Sequence, residues 1–169
     1  MSTGTAALRA IGIRVAPKDV YYAVVEKADK MDSELELLTA ASVVVPAALD
    51  LPGQLHFIRT TVLDIMAEYG VRRAGIRLTE STAQSMSVER LNLEGVIQEL
   101  ISSSGVEAYF AGPIATIAAR LGEKDRSRVK EYFEGADFME MEGWATLSRE
   151  RRESIVTAVA AIRIPQPHV

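Results

Sequence analysis

The sequence predicts an α/β fold: a mixed five-stranded sheet with helices on both faces. Three observations carry this reading. Residues 8–45 hold three apolar, β-branched runs joined by short polar breaks, the pattern of an antiparallel meander. From Leu55 the apolar period changes to that of a helix. Beyond it, short apolar runs alternate with helical ones, an order that implies right-handed crossovers and parallel strands.

The strands are read from composition and turn chemistry. Residues 8–15 and 20–26 are rich in Ile, Val and Tyr, with Pro17, Lys18 and Asp19 as the turn between them. Residues 35–45 form the third strand, closed by Pro46. Leu55, Ile58, Val62, Ile65, Met66 and Tyr69 recur at helical spacing and Gly70 stops them. Residues 74–78 and 106–111 are the fourth and fifth strands, separated by a polar loop (79–87) and a helix over 88–102. Two short helices follow over 114–121 and 125–133, the second with Asp125 as N-cap. Residues 135–146 are irregular, and Ser148 caps a last helix that reaches Ile162. Residues 1–7 are expected as a flexible N-terminus, 8–163 as a single domain and 164–169 as a C-terminal tail.

Composition narrows the chemistry. A chain of 169 residues with 48% apolar and 25% charged side chains has enough material for one buried core. Its net charge of −4 supplies no global attraction to nucleic acid. With no cysteine and only His56 and His168, thiolate chemistry and multi-histidine metal sites are excluded. No stretch approaches the roughly 18 apolar residues of a membrane span, and no signal peptide opens the chain, so a cytoplasmic location without membrane contact is expected. No phosphate-loop pattern occurs, and Gly112-Pro113 reads as a turn. Ser81, Thr82, Ser85 and Ser87 have no histidine nearby in sequence to activate them.

Four segments in order carry a family resemblance: Ala10-Ile11-Gly12-Ile13-Arg14, Ala74-Gly75-Ile76-Arg77-Leu78-Thr79-Glu80, Leu121-Gly122 with Arg126-Ser127-Arg128-Val129, and the Ala-rich stretch from Glu153 to Ala161. Over most of residues 8–162 the chain resembles the ribonuclease H-like superfamily, in particular its RuvC branch. The resemblance implies carboxylates on the first strand, at the end of the fourth and on the last helix, holding two divalent ions that clamp a phosphodiester. The first-strand position here is Arg14; Glu80 matches the fourth-strand position best, although Leu78 aligns if that strand ends earlier. Glu153 matches the last-helix position, with Glu150 one turn before and Val156 where a second acid is expected.

A guanidinium at the centre of that cage opposes a metal ion. Two unit charges about 4 Å apart interact by about 4 kcal/mol at an effective dielectric of 20. The fork of Arg14 is instead expected to pair with Glu80 and Glu153, closing a vestigial metal site by internal ion pairs. The chain is therefore read as a pseudo-nuclease without cofactor, acting by binding a protein partner or a second copy of itself. Two alternatives stand beside this. One is a magnesium- or manganese-dependent nuclease with a displaced site built from Glu80, Glu153 and Glu150 or Asp19. The other is a non-cleaving nucleic-acid binder using Arg77, Arg149, Arg151 and Arg152. The three arginines of the last helix also fit a charged solvent face, as do the interleaved charges from Arg120 to Glu131. Trp144 and Phe138, with Met139 and Met141, are expected to plug the core beneath the last helix.

Overall fold

The computed structural model describes residues 7–28 and 34–165. Expectations for residues 1–6, for the polar break after the second strand and for His168 lie outside these residues. Strand β1 (Leu8–Val15) pairs antiparallel with β2 (Asp19–Lys27), and β2 with β3 (Leu35–Val44). β4 (Arg73–Arg77) lies parallel to β1, and β5 (Ala108–Gly112) parallel to β4. The sheet order is β3-β2-β1-β4-β5, the mixed five-stranded arrangement that the sequence predicts.

Strand alternation sends the two sides of β1 to different cores. Ile11, Ile13 and Val15 meet helices α1 (Leu51–Glu68) and α2 (Val88–Leu100) through Ile58, Val62, Leu93 and Ile97. Ala10, with Ala23 and Val25 of β2, faces the opposite layer of α3 (Ile114–Leu121), α4 (Arg126–Phe133) and α5 (Arg149–Ile162). α5 lies between the sheet and its companions, buried from Arg152 to Ile162 on every side. Its alanines follow from that position, because a helix buried all round has no room for long side chains. A Cβ on Gly12 would fall 2.1 Å from the Ser154 carbonyl oxygen and 2.2 Å from the Ala158 nitrogen.

Several boundaries differ from expectation. α1 begins at Leu51, because Asp50 accepts a hydrogen bond from the Gly53 amide and Pro52 sits in the first turn. The fourth strand ends at Arg77 and the fifth starts at Ala108. Phe138 and Trp144 plug the core as expected, their rings 5.2 Å apart, but Met139 points outward at positive φ. Ile164, placed in the tail by its neighbouring prolines, is buried, and its carbonyl accepts from Arg73. Among the described residues no helix is long and apolar enough to cross a membrane.

Candidate functional site

Arg14 and Arg77 are register partners on the parallel pair β1–β4. Both fall on the α5 side, where the strands end and the first turn of α5 begins. Glu153 occupies the space between them and is 1% exposed. Arg14 Nε stands 2.5 Å from Glu153 Oε2, and Arg77 Nε 3.8 Å from the same oxygen. Arg149, one turn earlier on α5, donates its Nε to Glu153 Oε1 at 3.0 Å. Three guanidinium groups thus surround one buried carboxylate. Arg14 and Arg77 are steadied further by donating Nη1 to the Val15 and Leu78 carbonyls.

Arg77 Nη2 lies 3.4 Å from Glu80 Oε1, and that oxygen also accepts from the Ile114 amide at 2.9 Å. Glu80 therefore ties the end of β4 to the start of α3. The expected direct pairing of Arg14 with Glu80 is replaced by this one, because Arg77 stands between them, three residues from Glu80 on the same chain segment.

Sequence reasoning missed the α2 side of the cluster. Glu94 is buried although charged; its Oε1 accepts from the Thr79 amide, the Thr79 hydroxyl and Arg90 Nε at 2.9, 2.7 and 3.0 Å. The available signal was the i,i+4 pair Arg90–Glu94 on the same helix that buries Leu93 and Ile97. Burial pushes the Arg77 guanidinium below its ordinary range, with Glu153 and then Glu80 opposing the shift. Arg90 is lowered by burial first and by the charge of Arg14 next.

The remaining candidates separate. Arg152 is neither on a solvent face nor available to an anion: it is buried, and donates to the carbonyls of Phe133, Ala145 and Leu147. Its place on α5 faces the irregular segment, whose backbone oxygens need donors. Arg151 is exposed, and Arg149 also meets Glu134 at 2.8 Å. Among the described residues no ion pair joins Asp19 or Glu150 to the cluster. His56 is exposed on α1.

These residues do not fit a magnesium or manganese ion. Such ions take several hard oxygen donors in an anionic cage. Here the central carboxylate is shared among guanidiniums, and among the described residues no three acidic or histidine side chains group as ligands. The arrangement can hold fixed positive charge at the strand ends and offer N–H donors there.

No family model matches the chain, and no curated protein matches it by sequence. Solved structures do. The chain is similar to Thermus thermophilus RuvC at 13% identity and a TM-score of 0.70, covering 92% of this chain and 94% of that one. T. thermophilus RuvC in complex with a Holliday junction substrate gives 11% identity and a TM-score of 0.63 over the same shares. Fowlpox virus resolvase, also in complex with Holliday junction DNA, gives 9% identity and 0.50, over 90% of this chain and 95% of that one. Likeness at such low identity speaks for the fold, which is ribonuclease H-like and RuvC-like.

Proposed function

We propose that this ribonuclease H-like chain is a module that binds and does not cut, its metal site replaced by internal arginine–glutamate pairs. The supporting observation is the contact of Arg14 with Glu153, made from the strand position at which the resemblance calls for a carboxylate. A divalent ion entering there would have to displace that guanidinium from its closest partner and then sit beside Arg77. Calorimetric titration with magnesium and with manganese is expected to show no saturable binding, and branched or single-stranded DNA is expected to stay intact with either ion. Saturable metal binding together with strand scission would overturn the reading.

The bound surface in this reading is protein, with a second copy as the first choice. α1 and α2 are both crossovers into parallel strands and run the same way, tied by Arg59 Nε–Glu99 Oε2 at 2.7 Å. Leu51 of α1 and Val88 and Leu91 of α2 are exposed apolar side chains on these two helices. Light scattering is expected to give a dimer, and Leu91→Arg a monomer of unchanged helicity. A wild-type monomer would reject self-association.

Nucleic acid is the second reading. It is favoured by the neighbours described with Holliday junction DNA and by the exposed Arg149 and Arg151 at the start of α5. A gel shift that weakens steeply with salt, without cleavage, supports it.

A further inference from the structure

We infer that the arginine cluster at the ends of β1 and β4 is a binding site for a phosphate oxyanion. This rests on the reading that no metal takes that place, and goes beyond it by assigning the site a ligand.

The groups of the cluster do not satisfy one another. Four guanidiniums (Arg14, Arg77, Arg90 and Arg149) meet three carboxylates (Glu80, Glu94 and Glu153), with Glu134 reaching Arg149 from outside. The carboxylate oxygens are heavily used: both oxygens of Glu153 face arginines, and Glu80 Oε1 and Glu94 Oε1 also hold backbone amides. Against this demand, Arg77 Nε and Arg90 Nη2 are buried and have no hydrogen-bond partner. Arg77 is 5% exposed, and Glu153 Oε2, 3.8 Å from its Nε, is beyond hydrogen-bonding distance of that donor. A buried donor on a charged group without an acceptor is costly. Two such donors come from two elements, β4 and α2, which Glu94 joins: its Oε1 accepts from Arg90 Nε and from the Thr79 amide, two residues beyond Arg77.

An oxyanion answers this deficit. Phosphate brings several acceptor oxygens and negative charge, and guanidinium forks match its geometry. The side chains of Arg14 and Arg90 keep 15% and 17% of their surface exposed and that of Arg149 keeps 50%, so the cluster has a solvent side through which a ligand can approach. Inorganic phosphate, a nucleotide and a nucleic-acid backbone share this chemistry.

Inorganic phosphate titrated into the full chain at low ionic strength, followed by calorimetry and phosphorus NMR, is expected to bind saturably. Arg90→Gln should weaken it about tenfold, equivalent to about 1.4 kcal/mol. Glu80→Gln removes a competing charge, keeps an acceptor for the Ile114 amide and should tighten phosphate binding severalfold. If Arg90→Gln fails to fold, Glu80→Gln still carries the test. Displacement of phosphate by a single-stranded oligonucleotide assigns the site to a backbone, and displacement by a mononucleotide alone assigns it to a free phosphate ligand. No saturable phosphate binding in either the wild type or Glu80→Gln overturns the inference. If magnesium does not bind either, the non-cleaving reading survives; if magnesium binds with cleavage, both fall.

Discussion

Replacing Glu153 by glutamine is expected to destabilise the protein by about 3–5 kcal/mol in denaturant unfolding, the range for breaking a buried ion pair from one side. The side chain keeps its shape and one acceptor oxygen, so the loss is mainly one of charge. What makes that charge costly to remove is the company it leaves behind. Arg77 is too buried for water to replace the carboxylate and Arg14 is only partly open to it, and their remaining contacts are with backbone carbonyls and, for Arg77, Glu80. Arg149 provides the contrast. It contacts the same carboxylate with a half-exposed side chain, so Arg149→Gln is expected to cost no more than about 1 kcal/mol. Replacing Arg14 and Glu153 together by Met and Leu should recover only part of the loss, because Arg77 stays buried without its carboxylate. Equal, small effects of Glu153→Gln and Arg149→Gln would mean that the cluster contributes nothing beyond surface pairing.

The strands and their antiparallel-then-parallel character were legible because they are written in local signals. The Ile-, Val- and Tyr-rich runs of β1 and β2, Pro46 after β3 and Gly70 after α1 each act within a few residues of where they stand. Arg14 and Glu153 were also legible as a pair, through the resemblance, which puts the end of the first strand and the last helix at one site. The partners across the site were not. Whether Glu80 turns to Arg14 or to Arg77 depends on the β1–β4 register, which no local pattern sets. Glu94 looked like any acid on an amphipathic helix, and its burial follows from the way the loop after β4 folds Thr79 onto it. Arg152 misled for the same reason. Neighbours at i±1 and i−3 on α5 are charged, yet the irregular segment from Gly135 to Thr146 covers that side of the helix with carbonyl groups.

Gly12→Ala is expected to cost about 3 kcal/mol, the upper end of what overpacking usually does. A single methyl has this effect because of what it meets. The added carbon would lie 2.1 Å from one backbone atom of α5 and 2.2 Å from another, and a helix backbone cannot rotate aside as a side chain can. Relief requires moving α5 away from β1. That motion also separates Glu153 from Arg14, so loss of packing and loss of the ion pair arrive together. Gly95 is the internal control. It lies in α2 with nothing within 4 Å of an added Cβ, so Gly95→Ala is expected to stabilise by about 0.5–1 kcal/mol through helix propensity. The two substitutions make the same chemical change with opposite expected signs. If thermal unfolding moves in the same direction for both, contact between β1 and α5 is not what Gly12 secures, and the close approach that delivers Glu153 to the arginines loses its cause.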